Sequence, residues 1–359
     1  MSKFVHLHVH TEYSLLDGLS NIPKLISYVK ENEMDALAIT DHGVMYGEIE
    51  FYKESLKQGI KPILGMEGYI TSGELTDRPA RGQVKNNHVV LLAKNLEGYK
   101  NLMKIASIAH LDGYYYRPRM DHKLLKEYSK GIICTSACPA GEIGQALLQD
   151  SYEDAKKTTG WYMDVFGDDF YLEIQRHEYD KWIDKAKNAE IKTNLKQMND
   201  DEEKWNKGII KLSRDLGIPL IATNDAHYIK AEDALAQDAL VCIATGKTMD
   251  DTKRMRYIDA PTFYIRTPLE MEDLFKDVPD ALENTVKIAD KCNLEIELGK
   301  WFFPKFELPD GVSADDELRK NAREALVEKI QNAGKEEAER LNYELDIICK
   351  KGYAPYFLI

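Results

Sequence analysis

The stretch Phe4-Val-His-Leu-His-Val-His-Thr-Glu-Tyr-Ser-Leu-Leu-Asp-Gly18 is the most informative part of the chain. Its first residues alternate apolar side chains with imidazoles, which predicts a strand that sends His6, His8 and His10 out from one face. Asp17 follows, just before a glycine turn. A single histidine on an apolar run is usually a hydrogen-bonded core residue. Three imidazoles and a carboxylate together favour a metal site.

Size and charge narrow the classes of protein to consider. The 359 residues suffice for a large domain plus a smaller one, or for a barrel with insertions. With 48 Lys and Arg against 61 Asp and Glu the chain is acidic, which disfavours binding of nucleic acid over its whole surface. Five scattered cysteines predict no disulfide framework. Because no signal peptide and no apolar run of about 18 residues is present, we expect a soluble, cytoplasmic protein with no membrane partner.

Strand-like runs alternate with helical patterns over the first two thirds of the chain. This alternation favours a parallel α/β barrel, distorted and short of the usual eight strands, with an open doubly wound sheet as the alternative. Such folds place their chemistry at the carboxyl ends of the strands. The predicted strands are residues 4–10, 36–40, 61–66, 89–93, 131–136, 170–175 and 218–223.

Ligand-type side chains gather near the ends of these predicted strands. Their mixture of nitrogen, oxygen and sulphur donors suits two or three divalent ions. Zinc suits the cysteine and the imidazoles, manganese suits the carboxylates, and iron is a further candidate. Clustered ions of this kind typically hydrolyse phosphoesters. The candidate ligands are His8, His10, Asp17, His42, Glu67, His88, Cys138, Asp225 and His227.

Other residues near these ligands are candidates for catalysis and for substrate binding. The run Tyr114-Tyr-Tyr-Arg-Pro-Arg119 mixes rings with cations, as sites for single-stranded nucleic acid do, although a packed loop paired to the acidic surface is the alternative. A histidine after the sixth predicted strand either orients a phosphate or lies on the surface. The catalytic candidates, which would steer protons or orient ligands, are Asp41 and Asp225. The substrate-binding candidates are Arg117, Arg119 and His177.

The character of the sequence changes after about residue 250. A basic and aromatic cluster is followed by helical patterns over Leu269–Cys292 and Asp315–Lys351. We therefore assign residues 1–268 to the barrel and residues 269–359 to a smaller, mainly helical or mixed segment. The chain stops on the apolar run Tyr356-Phe-Leu-Ile359, which predicts that it continues in a longer protein.

The motifs and their order resemble the PHP (polymerase and histidinol phosphatase) family, especially the PHP domains that begin bacterial replicative DNA polymerases. The resemblance implies a distorted seven-stranded barrel that usually holds three metal ions. Only the resemblance places His88 among the ligands, because this residue opens its strand. It also implies that residues from about 270 begin a polymerase palm region. The likeness is carried by residues 4–18, His88–Asn95, Gly98–Leu102, Tyr115–Arg119, Asn224–Tyr228 and Asp238–Lys247.

The resemblance leaves three functions open. The first is a metal-dependent 3′–5′ exonuclease that acts on a DNA 3′ end, in a polymerase whose own catalytic aspartates lie beyond this sequence. Its partners would be the remaining polymerase domains of the parent chain, with proofreading or clamp subunits of the replisome. The second is a metal-stabilised structural or docking module without catalysis. The third is a free-standing enzyme of the histidinol-phosphatase type, which the polymerase-like last third disfavours.

Overall fold

The computed structural model describes residues 4–80, 86–254, 256–300 and 306–359. They form an α/β fold built on a curled, mainly parallel sheet with helices, so the predicted fold class is confirmed. The chain divides into two compact units, Met1–Glu295 and Ile296–Ile359. The functional assignment of residues 1–268 and 269–359 stays a prediction.

The sheet lies in the first unit, and its strands begin and end close to the predicted ones. Each strand is short and rich in β-branched or apolar residues, as buried strands of α/β folds are. The strands are β1 (Ala36–His42), β2 (Lys61–Ile70), β3 (Asn87–Ala93), β4 (Arg119–Met120), β5 (Ile132–Thr135), β6 (Phe170–Gln175) and β7 (Leu220–Thr223).

The strand order is β1-β2-β3-β5-β6-β7, and the short β4 pairs with β2. Most neighbouring strands are parallel, so their carboxyl ends meet at one edge. The exception is β3, which runs antiparallel to both β2 and β5. The predicted distorted parallel barrel is thus confirmed as a mainly parallel sheet in which β3 is reversed, so the first residues of β3 lie at the edge where the other strands end.

Residues 4–10 close the curled sheet without forming a regular strand. His6 makes a parallel bridge to Leu37 in β1, and Val9 makes one to Ala226 just after β7. The backbone N–H of His10 also donates to the carbonyl of Ala226 at 2.8 Å. The segment thus joins the first and last strands of the sheet, as the predicted strand would.

The segment departs from regular strand geometry at Leu7 and His8. Leu7 belongs to the apolar core, and His8 and His10 also face the interior, so two consecutive residues point inward where the chain bends. His6 is consequently turned elsewhere, and its Nε2 lies 2.8 Å from the carbonyl oxygen of Arg266. The prediction that all three imidazoles leave one face is wrong because of this bend.

Helices join the strands and follow them along the chain. The longest of the described helices is α8 (Ala189–Leu216), which has 28 residues. None of the described helices is long and apolar enough to cross a bilayer. In the first unit the helices are α1 (Ile22–Glu31), α2 (Glu48–Gln58), α3 (Leu96–Leu111), α4 (His122–Glu127), α5 (Glu142–Leu148), α6 (Tyr152–Phe166), α7 (Asp180–Ile183), α8 (Ala189–Leu216), α9 (Ala234–Thr245), α10 (Pro268–Leu274) and α11 (Pro279–Lys291). In the second they are α12 (Ala314–Lys329), α13 (Lys335–Lys350) and α14 (Ala354–Leu358).

The apolar core lies towards the start of the parallel strands. Helix α11 packs there: Asn284 donates from Nδ2 to the carbonyl of Leu220 at 2.8 Å, and Thr285 Oγ1 accepts from the N–H of Val5 at 3.0 Å. The opposite end of the barrel is left to polar side chains. Core residues include Ala36, Ala38, Ile63, Leu92, Ile133, Tyr171, Ile221 and Ile288.

Candidate metal centre

The first cluster of donors forms where the 4–10 segment meets the end of β7. Asp225 Oδ1 lies 3.2 Å from His8 Nε2 and 3.1 Å from His10 Nε2. Glu67, from β2, lies 3.4 Å from each of these nitrogens. The backbone of Asp225 is left-handed, with φ 46°, a conformation that non-glycine residues rarely adopt and that often marks functional sites. Two imidazoles and two carboxylates therefore converge on one point.

The second cluster shares Glu67 with the first. His42, the last residue of β1, is the register partner of Glu67 within β2, and His42 Nδ1 lies 2.8 Å from Glu67 Oε2. His88 Nδ1 lies 2.9 Å from Glu67 Oε1. Cys138 Sγ lies 3.5 Å from His88 Nδ1 and 3.9 Å from Glu67 Oε1. This cluster contributes the sulphur donor of the predicted set.

His88 reaches the cluster because β3 is antiparallel. In the β2–β3 register Glu67 faces Val90 and Tyr69 faces His88, so His88 is a diagonal neighbour of Glu67 on the same face. A residue that opens β3 therefore lies at the edge where β1 and β2 end. The sequence offered no sign of this reversal beyond the family resemblance.

The third cluster is the most open of the three. The ring of His10 stacks between those of His42 and His227, at centroid distances of 4.1 and 4.3 Å. Asp17 Oδ2 lies 3.1 Å from His42 Nε2 and 3.9 Å from His227 Nε2. All nine predicted ligands are thus brought together, in three overlapping groups.

Asp41 lies behind the clusters and holds the loop that follows His10. Its carboxylate accepts from Ser14 Oγ at 2.7 Å and from Thr11 N and Oγ1 at 2.7 and 2.8 Å. Since the single hydroxyl hydrogen of Ser14 goes to Asp41, His10 Nδ1 must donate to Ser14 Oγ across 3.0 Å. His10 Nε2 then keeps a lone pair directed at Asp225. The predicted part of Asp41 in catalysis stays a prediction.

Glu173 supports His8 in the same way, and the sequence reasoning missed it. Its Oε1 lies 2.7 Å from His8 Nδ1, and its carboxylate also accepts from Thr135 Oγ1 at 2.6 Å and Thr223 Oγ1 at 2.5 Å. A carboxylate behind an imidazole fixes the ring and its tautomer, as the outer partners of metal sites do. The available signal was an ionisable residue in the middle of the apolar run Phe170–Gln175.

These contacts give three imidazoles the same tautomer. Nδ1 of His8 and of His10 is engaged as described, and His227 Nδ1 donates to the carbonyl of Asp225 at 2.8 Å. In each of these rings Nε2 is therefore the nitrogen left to face into the clusters, and it is the nitrogen that a metal ion would bind in place of a proton.

Buried polar atoms without hydrogen-bond partners are a second reason why the donor set fits divalent cations. Within the described part of the chain, several buried donor atoms approach one another at 2.8–3.4 Å without forming a hydrogen bond. A buried polar atom without a partner costs about 1–3 kcal/mol, so five in one place call for a shared cation. Imidazole, carboxylate and thiolate are the donors that zinc and manganese use. The atoms are His8 Nε2, His10 Nε2, His42 Nδ1, Glu67 Oε2 and Asp225 Oδ1.

The electrostatics of the site follow from this crowding. Burial opposes the charge on His8, but the carboxylates of Asp225, Glu173 and Glu67 outweigh it and raise the pKa of His8 well above its ordinary value. Burial, with the charges of neighbouring imidazoles, lowers the pKa of His10 to about 3. The chain thus gathers negative charge around imidazoles, an arrangement that a cation neutralises.

The two predicted substrate-binding arginines have different surroundings. Arg117 is exposed, and its guanidinium lies 5.4 Å above the ring of Tyr69, a neighbour of His42. Arg119 is fully buried and donates to the backbone carbonyls of Gly113 and Leu75 at 3.1 and 2.9 Å. The structure brings Arg117 towards the ligands and does not bring Arg119 there.

His177 is buried and not a surface residue. Its ring stacks on Phe263 at 3.8 Å, and Thr262 Oγ1 lies 3.4 Å from its Nδ1. Burial lowers the pKa of His177 to about 3, so the imidazole is neutral. Its Nε2 has no hydrogen-bond partner among the described residues. Its predicted contact with substrate stays a prediction.

Residues 6–177 match the family model of the PHP domain. The chain contains a PHP domain. The family resemblance drawn from the ordered motifs is therefore confirmed, and with it the seven-stranded α/β barrel that it implies.

Two relatives of this PHP chain are named DNA polymerase III subunit alpha. The one from Borreliella burgdorferi is 44% identical over 362 residues, covering 100% of this chain and 30% of that protein. The one from Helicobacter pylori is 41% identical over 384 residues, covering 99% and 30%. The homology lies in the N-terminal region of such subunits. The chain thus spans 30% of the length of the relatives it matches.

Among solved structures, an amidohydrolase from Chromobacterium violaceum aligns with 14% identity and a TM-score of 0.37. The alignment covers 62% of this chain and 87% of that one.

Proposed function

We propose that this chain is the N-terminal part of a bacterial replicative DNA polymerase, and that its barrel is a metal-dependent phosphoesterase acting at a DNA 3′ end. The likeness to DNA polymerase III alpha subunits over the whole chain supports the first statement. The donor set supports the second. Two or three ions of zinc or manganese, or of iron, are the proposed cofactors.

The observation that carries the proposal is the convergence of lone pairs. His8, His10 and His227 each spend Nδ1 on an oxygen partner and point Nε2 into the clusters. Glu67 and Asp225 bridge neighbouring groups of imidazoles. A core that only needed to be stable would bury apolar side chains here instead.

The chain's own residues would divide the chemistry between them. Bound divalent ions would offset the charge of the phosphoryl oxygens and acidify water. Asp225 would hold a cation and keep His8 and His10 in register, and Glu173 would fix the ring of His8. Asp41 would act through Ser14 on His10, a positioning role.

Access favours an enzyme over a closed structural site. The side chains of His8 and His10 are fully buried, but that of Asp17 is 30% exposed and that of His88 is 21% exposed. Structural metal sites are usually closed on all sides, whereas catalytic ones keep a side open to substrate. The open side lies at the second and third clusters.

The proposed partners follow from the relatives. They are the DNA 3′ end, the remaining polymerase domains of the parent chain, and the proofreading or clamp subunits of the replisome. The polymerase activity of the parent would belong to parts of the protein outside this chain.

The test combines elemental analysis of the chain, purified without chelator, with hydrolysis of single-stranded DNA labelled at its 5′ end. We expect about two to three metal equivalents and shortening from the 3′ end. Asp225→Asn should lose both. His122→Asn is the matched control, because His122 is partly exposed, pairs with Glu142 and is not among the proposed ligands.

Equal hydrolysis by the parent chain and Asp225→Asn would trace the nuclease to a contaminant and refute the proposal. Metal binding that raises the melting temperature without any hydrolysis would leave a metal-stabilised module in its place.

A further inference from the structure

A cleft of about 420 Å³ opens beside the third cluster of donors. We call it the tyrosine cleft and define it by Leu16, Asp17, His42, Tyr46, Tyr116 and Arg117, which are among its lining residues. Asp17 and His42 belong to the proposed metal centre as well. The cleft is therefore continuous with the open side of that centre, and its size is that of a small-ligand site.

Several large side chains on its walls are exposed. Tyr46 is 62% exposed, Tyr114 and Tyr116 are each 55% exposed, and Leu15 and Leu16 on the facing loop are exposed too. Large side chains left in water around one opening mark a site that binds something. Aromatic faces in particular suit flat, weakly polar ligands.

Two of these side chains stand on unusual backbone. Leu16 has φ 62° and Tyr116 has φ 63°, both in the left-handed region that residues with a side chain rarely adopt. They lie on two different segments that line the same cleft. Backbone held in this region tends to occur at ligand-binding sites, where surrounding contacts maintain it.

The contacts that hold the Tyr116 segment are visible. Tyr115 donates from its hydroxyl to the carbonyl of Pro79 at 2.9 Å, and the buried guanidinium of Arg119 binds the carbonyls of Gly113 and Leu75. Tyr115 and Arg119 thus anchor the segment inward, while Tyr116 and Arg117 between them line the cleft. Of the two arginines predicted to bind substrate, Arg119 is therefore committed to holding the segment, and Arg117 remains available to a ligand.

The cleft also has one uncommitted cation. Across the described ranges Arg117 forms no ion pair, and its guanidinium rests over the ring of Tyr69. Arginine beside aromatic rings is the combination that binds single-stranded nucleic acid, where rings stack on bases and cations meet phosphates. Because the chain as a whole is acidic, a contact with DNA would depend on local cations such as this one.

We propose that the tyrosine cleft receives the 3′-terminal base of single-stranded DNA, stacked on Tyr116 and Tyr46, with Arg117 facing a backbone phosphate. The assignment rests on the proposed function, because it places the terminal linkage at the metal centre next door. Stacking of this kind is indifferent to sequence, since every base has an aromatic face.

The experiment uses the full 359-residue chain and a short single-stranded DNA that carries 2-aminopurine as its 3′-terminal base. A phosphorothioate at the last linkage suppresses hydrolysis, so binding is measured without turnover. The fluorescence of 2-aminopurine falls when the base stacks on an aromatic ring. We expect saturable quenching with this DNA and much weaker quenching when 2-aminopurine is at the 5′ end.

The variants are Tyr116→Leu, which keeps bulk and removes the aromatic face, and Arg117→Gln, which removes the charge. We expect each to weaken binding at least about fivefold, the lower end of one base stack. Tyr343→Leu is the matched control, since Tyr343 is 58% exposed on α13 of the other unit. A second stacking variant, Tyr46→Leu, covers the case in which Tyr116→Leu fails to fold.

The outcomes separate the two proposals. Selective quenching of the 3′ base that is lost in the cleft variants supports the cleft, even if no variant or parent hydrolyses DNA, in which case only the proposed function fails. Hydrolysis of DNA with no quenching, with equal quenching of the two ends, or with quenching unchanged in Tyr116→Leu and Tyr46→Leu overturns the cleft and leaves the proposed function standing.

Discussion

The interior of the barrel is apolar at one end and polar at the other, although the same strands supply the side chains of both ends. On β2, Ile63 belongs to the apolar core, whereas Glu67 lies among imidazoles. Likewise, Ile221 on β7 belongs to the apolar core, whereas Asp225 just beyond β7 lies beside two imidazoles. Ile63 and Glu67 are four residues apart on an extended strand and therefore share a face, so only their position along the barrel differs.

The apolar end of the barrel interior contributes stability, and the polar end carries the proposed function. At the start of the strands, apolar groups and α11 exclude water, and every buried methylene contributes about 0.8 kcal/mol. At the other end, polar atoms are buried at a cost that their neighbours or a cation must offset. Changes at the two ends should therefore have different consequences, even on one strand.

The largest expected effect is that of Glu67→Gln, which keeps the shape of the shared carboxylate and removes its charge. Glu67 lies within 3.4 Å of nitrogens of four imidazoles, so losing its charge should weaken the first two clusters together. We expect hydrolysis of single-stranded DNA to fall by more than about 100-fold, beyond the usual effect of an outer partner. Metal content should drop by at least one equivalent. Full metal content with unchanged hydrolysis would remove Glu67 from the centre.

On the same strand, Ile63→Ala should lower the stability of the chain and leave its metal content unchanged. Its side chain packs in the core with Ala36, Ala38 and Leu92, and the cavity should cost about 2–4 kcal/mol of unfolding free energy. Urea denaturation measures this loss. Metal content per folded chain should not change. A loss of metal from folded Ile63→Ala, equal to that from Glu67→Gln, would mean that the two ends are not separate.

Much of this arrangement could be predicted from the sequence because it depends on local spacing. Strand ends such as Thr40-Asp41-His42 carry both a buried run and a ligand-type residue, so one residue pattern predicts the element and its chemistry. The candidate ligands other than His88 follow from patterns of this kind, whereas only the family resemblance supplied His88, and all nine come together in space.

The features that could not be predicted depend on contacts between segments that are far apart in the sequence. Antiparallel pairing of β3 moves His88 to the ligands, and strand direction is not encoded within the strand itself. A bend at His8 turns His6 away, which period-two spacing does not anticipate. Arg119 resembles Arg117 in sequence and differs only in tertiary contacts. Glu173 has no motif, because an outer partner needs only to reach its imidazole.

A smaller effect is expected from Glu173→Gln. This variant tests whether a residue that only orients the metal-binding ring of His8 matters as much as a residue that would bind the metal itself. The amide carries no charge and has one acceptor oxygen where the carboxylate has two for His8, Thr135 and Thr223, so it should hold the ring of His8 less firmly. We expect zinc affinity to fall about 10–100-fold, measured by competition with a chromogenic chelator. His8→Asn is the reference variant. If Glu173→Gln lowers the melting temperature but binds zinc as the parent does, the residue serves the fold alone.

The smallest expected effect concerns a buried carboxyl outside the clusters. Glu48, at the start of α2, is 1% exposed, and neither of its oxygens has a hydrogen-bond partner among the described residues. Burial, and then the charge of Asp41, raises the pKa of Glu48 well above the ordinary 4.5. The folded chain therefore holds this proton more tightly than the unfolded chain. Stability should fall as the pH rises from about 4.5 towards the raised pKa.

Glu48→Gln cannot ionise and should escape that loss. We expect the variant to match the parent near pH 4.5 and to exceed its unfolding free energy by about 1 kcal/mol or more at pH 8, measured by urea denaturation at both values. Glu50→Gln on the exposed face of α2 is the control and should show no gain that depends on pH. An equal stability of Glu48→Gln and parent at pH 8 would mean that the carboxylate has a partner. The barrel would then tolerate buried charge away from the donor clusters, against the division between its two ends.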